Sequence, residues 1–529
     1  MKTQKTIQLG NEWLTINDCH EVARQFKIVQ LLPKVKINLE KSRAILSNYI
    51  DKHVPVYGIS TQFGGQVNLT DEKYNISDHP LYLKALEERQ GDLIRSHTAG
   101  LGDESPEDSV RAAMLVRARC LSLGYSGVSA EPIKQLVNFL NYRIHPIVPK
   151  YGSIGASGDL IPLSHIASAL CGHDIEVKFK NKKIKVQEAM QQTGISPLKL
   201  KGREGLALIN GTSFMTGISS LAIYDLNRLF NQILSAIAMS LEALGVMDSA
   251  YEPLVHELKN HPGATKVNNY LLCAWHGSKL IRKLDSERKE FLSSYGASAN
   301  NHHQNTRPLQ DYYSLRSIPQ GFGPFWENLN RSVKWVEREI NSVNDNPVID
   351  PESGKIHHAA NFMGYYITDT CDILKIDISQ ASTWMHAILA NLVHPRKNFG
   401  LPANLVERPA VYSGFRPYQI LSASIAVQNR KLAQSQQSFT IPTEGDNQDV
   451  NSLGTHAAFD LKEAVSNLEL ITAIIFLAAS QALDLRGIEN ASNHSRKIRN
   501  IIRRECPKLT SDRSPSEEIK KMINIMRRQ

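Results

Sequence analysis

The chain has 529 residues, 42% hydrophobic and 21% charged, which is the composition of an ordinary globular protein rather than a disordered or low-complexity one. No stretch approaches the ~20 unbroken apolar residues of a membrane span, so no membrane partner is expected. The formal net charge is +9, but the basic segments near the end lack the interleaved aromatics of a nucleic-acid surface and read as solvated helix.

The opening MKTQKTIQLGNEWL has no long apolar core and does not resemble a signal peptide. The six cysteines (Cys19, Cys120, Cys171, Cys273, Cys371 and Cys506) are scattered, with no CxxC. That pattern suggests neither a disulfide framework nor a zinc site, and it fits a reducing cytoplasm.

In chain order, irregular stretches alternate with helical ones. Residues 56–68, VYGISTQFGGQVN, and 93–102, LIRSHTAGLG, are loop-like. YGSIGASGDLIPLSHIASAL, 151–170, is a glycine-rich bend running into an apolar helix expected to begin at Asp159. DIEVKFKNKKIKV, 174–186, predicts a hairpin with an Asn-Lys-Lys turn. Residues 206–244 are a long apolar run broken near Asn210-Gly211. Helical spacing dominates NLNRSVKWVEREINSV, 328–343, and TDTCDILKIDISQASTWMHAILANLV, 368–393. ITAIIFLAAS, 471–480, reads as buried helix, and SEEIKKMINIMRR, 516–528, as an amphipathic one. The reading is mainly α with few short strands, divided into 1–205, a long-helix bundle over 206–495, and a basic helical tail over 496–529.

Ala156-Ser157-Gly158 has a chemical reading. Small neighbours leave the Gly158 nitrogen free to close on the Ala156 carbonyl carbon. Loss of water from the ring and from Ser157 would leave a methylidene on a conjugated carbonyl, an electrophile that ordinary side chains do not supply. A helix N-terminus beside it favours charge drawn into the ring. Alone, such a tripeptide is most often a glycine turn with Asp159 as the cap of the following helix.

The surrounding residues decide between the two. GSIGASGDLIPLSHIA, together with YGISTQFGG, RSHTAG, EGLALINGTS, YSLRSIPQ, NDNPVID, NFMGYY and NQDVNSLG, in that order, resembles the aromatic amino acid ammonia-lyases and 2,3-aminomutases. The resemblance implies that Ala156-Ser157-Gly158 becomes the methylidene-imidazolone group (MIO), with no external cofactor and no metal. It implies a small aromatic amino acid as substrate and a homotetramer with shared active sites. His302-His303 and His357-His358 lack the acidic or cysteine ligands that would make a metal site.

By resemblance Tyr57 is the catalytic loop base, and its pKa of about 10 must then be pushed down by cations or helix ends. Asn210 lies beside MIO, Arg316 binds the substrate carboxylate, and Tyr313 and Gln310 complete the site. Gly64, Phe362, Met363, Gln428 and Gln448 line the substrate site. Ser96-His97 reads the far end of the substrate side chain, where a polar pair points to tyrosine before phenylalanine. Gln428 stands where histidine enzymes carry glutamate, and NQDVNSLG where they carry a QED-type sequence. Gln62, Met363 and Gln428 depart from common family residues. The expected activity is therefore elimination of ammonia from L-tyrosine, with L-phenylalanine, a 2,3-aminomutase or a histidine enzyme as alternatives. A helical scaffold without catalysis is the reading from a different class.

Overall fold

A computed structural model describes residues 6–10, 12–68, 79–295 and 310–528. The protein is mainly α, and its short strands form two- and three-stranded pieces. Two compact units are built from interleaved segments. One comprises the described residues of Met1–Tyr224, Ser332–Asp372 and Ser435–Lys462; the other comprises those of Asp225–Arg331, Ile373–Gln434 and Glu463–Gln529.

The first unit is organised around the helix Glu107–Ser122, in which every residue from Ser109 to Ser122 is buried. Its arginines are buried without a matching set of carboxylates; they donate instead to main-chain carbonyls. Arg111 reaches Val22 at 2.7 Å, with Ala23 and Leu140 at 3.1 Å. Arg117 donates to the Asn210 carbonyl and, at 3.0 Å, to Asn344 Oδ1. Arg111 thus satisfies carbonyls in the last turns of the helices Ile16–Arg24 and Ala130–Tyr142, and Arg117 one just after the helix Glu204–Ile209.

The hairpin is present as Glu176–Phe179 paired with Lys182–Lys185, but its turn is Lys180-Asn181, not Asn-Lys-Lys. Both turn residues have positive φ, 50° and 62°, as a two-residue turn between twisted strands requires. Lys182 is thereby in the strand, opposite Phe179.

In the second unit Trp275 Nε1 donates to the Ala238 carbonyl at 2.9 Å and Trp384 Nε1 to that of Ser314 at 2.9 Å. The basic tail is folded here as the helices Asn493–Arg503 and Pro515–Arg528, which bury Ile502, Ile519, Met522, Ile525 and Met526. ITAIIFLAAS lies inside the 33-residue helix Gly454–Arg486, which is long and apolar enough to cross a bilayer but is mostly buried in the protein.

One ion pair in the first unit is wholly dry. Arg203 Nη1 lies 2.9 Å from Asp345 Oδ2, and both side chains have no exposed surface. Arg203 also donates to the carbonyls of Ser126 and Asn346 at 2.6 and 2.7 Å. Arg203→Ala leaves a buried carboxylate unpaired, so a denaturation midpoint should report a loss of about 3–5 kcal/mol. A loss below about 1 kcal/mol would show that the pair is not structural.

Candidate active site

Ala156, Ser157 and Gly158 sit on a bend between the strand Pro149–Tyr151 and the helix Leu160–Leu170. The bend is pressed against the turn after the helix Glu204–Ile209. Gly158 pairs with Gly211, and the Asp159 amide donates to the Gly211 carbonyl at 2.8 Å. Gly158 has φ +72°, and a Cβ there would stand 2.3 Å from the Gly211 carbonyl oxygen. Only glycine allows that approach.

The other side of the bend is closed by 452–453. The Leu453 amide donates to the Ile154 carbonyl at 2.9 Å, and Ser452 Oγ to that of Gly155 at 3.0 Å. Side chains then fix Ser157: Asn210 Nδ2 donates to its carbonyl at 3.0 Å, and Gln448 Nε2 to its Oγ at 3.0 Å. Asn210 is itself oriented by the Asn346 amide, 2.8 Å from its Oδ1, and Gln448 by the Thr443 hydroxyl at 2.9 Å.

Asp159 does not cap its own helix; no side-chain bond runs to it. Its carboxylate is fully buried and accepts the amides of Phe214 and Met215 at 3.0 and 2.8 Å, so it caps the helix Ser213–Leu244 instead. Ser153 Oγ, at 2.9 Å, and Thr455 Oγ1 donate to the other oxygen. Burial pushes its pKa up, and the hydrogen bonds from Thr455, Met215, Ser153 and Phe214 oppose that.

These residues front a cavity of about 390 Å³ within the first unit. Tyr57, Gly64, Ser96, His97, Ser157, Asn210, Phe362 and Gln448 all line it. The tyrosine loop is anchored by residues whose role the sequence did not reveal. Arg89 Nη1 donates to the carbonyls of Ile59 and Thr61 at 3.0 and 2.7 Å, and Gln90 Nε2 to that of Gly58 at 2.9 Å. Both lie on the helix His79–His97, which continues into the 93–97 part of the stretch expected to be loop. Glu444 was missed as well; it brings a carboxylate against Gly64, where any Cβ would overlap it.

Tyr57 departs from expectation. Its hydroxyl accepts the Gly64 amide at 2.9 Å, which favours the phenolate, yet its pKa is raised. Burial dominates, and the Glu444 carboxylate adds to it. At the far end His97 Nδ1 is 2.9 Å from the Leu93 carbonyl, and Ser96 Oγ is 3.0 Å from the same Nδ1. A carbonyl only accepts, so Nδ1 carries the proton and Nε2 is left as an acceptor.

Met363 is half-buried and not among the lining residues. Gln310, Tyr313, Arg316 and Gln428 belong to the second unit. There Arg316 stacks 4.8 Å from the Tyr313 ring and donates to Gln310, while Gln428 Nε2 donates to Glu463 at 3.1 Å. His358 Nε2 accepts the Tyr57 amide at 3.3 Å; His302-His303 lies outside the described residues. Among those, no cluster of His, Cys, Asp and Glu is arranged to hold a metal.

The model of the family described as aromatic amino acid lyase matches residues 14–504. The chain belongs to that family. It is an enzyme of a family in which carbon–nitrogen lyases that release ammonia and aminomutases occur side by side. It is 36% identical over 511 residues to the tyrosine 2,3-aminomutase of Chondromyces crocatus, covering 96% of this chain and 93% of that protein. It is 33% identical over 522 residues to the histidine ammonia-lyase of Treponema denticola, covering 99% and 97%. Among solved structures, tyrosine aminomutase from Streptomyces globisporus superposes with a TM-score of 0.91 at 30% identity, covering 99% and 97%.

Asp159→Asn replaces an acceptor with an NH2 group that meets N–H and O–H donors. Each buried group left unpaired costs about 1–3 kcal/mol, so the thermal midpoint should fall by several degrees. An unchanged midpoint would show that the carboxylate is not the clamp.

Proposed function

We propose that the protein is an MIO-dependent ammonia-lyase acting on L-tyrosine and releasing ammonia and coumarate. The observation that carries the substrate is the His97 imidazole, whose Nδ1–H is engaged by Leu93 and whose Nε2 is therefore an acceptor beside the cavity. A phenol hydroxyl donates to that nitrogen, and Leu93, Leu160, Leu206 and Phe362 supply apolar walls for a ring.

Ala156-Ser157-Gly158 fits the prosthetic group. The space a Cβ would need at Gly158 is taken by the Gly211 carbonyl, and both oxygens of Ser157 are held by side-chain amides. Formed from these residues, MIO would supply an electrophilic carbon that activates the substrate amine as a leaving group. Tyr57 Oη receives the β-proton. The Gly64 amide stabilises the phenolate that accepts this proton, while burial and Glu444 disfavour it. Arg316 pairs with the substrate carboxylate as a bidentate fork.

We take the working site to be shared between chains of a homotetramer, as the family resemblance implies, with Arg316, Tyr313, Gln310 and Gln428 contributing to it. The exposure of Tyr313 (75%) and Ile420 (67%) supports contact with a partner chain. Aminomutation of tyrosine is the second reading, favoured by the aminomutases among the relatives. Incubation with tyrosine, phenylalanine and histidine separates these: coumarate is expected from tyrosine, β-tyrosine marks the mutase, and turnover of histidine alone rejects the tyrosine reading.

Ser157→Ala should lose turnover while keeping the oligomer, and its intact mass should lack the deficit of two waters expected of the wild type; near-normal turnover would end the MIO reading. His97→Phe should move the kcat/KM ratio toward phenylalanine, since tyrosine loses its acceptor and phenylalanine no longer buries an unpaired one, an effect of about 1–3 kcal/mol. An unchanged ratio would exclude His97 as selector.

Glu444→Gln removes a negative charge that disfavours the phenolate. The Tyr57 pKa falls, more of the base form is present at a given pH, and the ascending limb of kcat/KM should shift to lower pH. A shift to higher pH would contradict this arrangement.

A further inference from the structure

The lysine-rich hairpin is not used by the chemistry above, and it borders a second cavity. This cleft, about 890 Å³, lies within the first unit between the hairpin, the end of the helix Ala130–Tyr142 and the segment at His145. Arg143, Lys178, Lys180, Lys182 and Lys183 line it, against one carboxylate, Glu107. Lys178 and Lys183 share a single carboxylate, Glu104. Lys180 Nζ donates to the neutral Gln192 at 3.2 Å and lies 4.8 Å from the Phe179 ring centroid. Arg143 and Lys182 have no carboxylate partner among the described residues.

Two backbone positions aim these cations. Arg143 ends its helix at φ +59° and lays its guanidinium 4.3 Å from the Phe26 ring centroid. Lys180 and Asn181 occupy the positive-φ turn. Non-glycine residues are uncommon there, so two of the cations sit at or beside strained backbone.

A separate observation points to a ligand. His145 lines the cleft and is only 7% exposed. Its Nε2 lies 3.1 Å from Glu107 Oε1 and donates to it. Burial, with Arg111, Arg143 and Lys178 nearby, lowers its pKa to about 3, so the ring is neutral. Nδ1 is therefore an acceptor, and it is buried without a partner. A buried acceptor of this kind calls for a donor, and its ring borders the cationic cleft.

We propose that this cleft binds a small hydroxylated phosphate ester. Its phosphoryl oxygens take Arg143, Lys180 and Lys182, and a hydroxyl donates to His145 Nδ1. Several separated cations suit a multi-oxygen dianion better than a single carboxylate.

Isothermal titration of the full-length protein at fixed ionic strength tests this with glucose 6-phosphate, AMP and methyl phosphate, which has no hydroxyl on its carbon. Saturable binding of either hydroxylated ester, about ten-fold tighter than methyl phosphate, is expected; the two esters separate a sugar phosphate from a nucleotide. The exposed double variant Lys180→Glu/Lys182→Glu should fold normally and lose at least about ten-fold in affinity. His145→Leu should bring the preferred ester down to the level of methyl phosphate. Equal affinity for all three probes, unchanged affinity in the double variant, or no saturable heat would each overturn the proposal.

Discussion

A single buried carboxylate holds the site together. Asp159 follows the reactive tripeptide directly, and its two oxygens bind donors from three places in the chain: Ser153 upstream, the first turn of the helix Ser213–Leu244, and Thr455. A dry carboxylate is costly unless its lone pairs are filled. Here four donors fill them, so the cost of burial fixes the position of all four. The bend, the neighbouring turn and the 452–455 segment are located by one side chain.

The tyrosine loop follows a different logic. Its carbonyls are held from behind by Arg89 and Gln90, while its phenol is held within the loop by the Gly64 amide. The loop is therefore anchored by its backbone and not by the reactive group. That leaves the Tyr57 oxygen in contact with the cavity, at the cost of a site that resists its ionisation.

Much of this was legible in sequence. The tripeptide, Tyr57, Asn210, His97, Phe362 and Gln448 were all named from motif order, and they meet around one cavity. What was not legible shares a cause: it depends on pairings far apart in the chain. Asp159 looked like a local cap because a local cap is the common use of an aspartate before a helix. Arg89, Gln90 and Glu444 lie in no motif that marks them out in the sequence. Nothing in spacing shows that the carbonyls of 58–61 lie behind the helix His79–His97. The hairpin turn was misplaced for a smaller reason: Asn181 is the obvious turn former, and the register depends on Lys180 also accepting positive φ.

The clamp on the tripeptide also carries a schedule. Gln448 reaches Ser157 across 291 positions, and Ser452 and Thr455 close the bend from equally late in the chain. During synthesis the bend and the turn at Gly211 are made long before these residues exist. The conformation that presses Gly158 onto its neighbour is therefore completed only when most of the protein has been made. A truncated or stalled chain carries the same three residues without the grip that strains them together, so the proposed ring closure doubles as a check on completeness: an electrophile is not exposed on an unfinished protein.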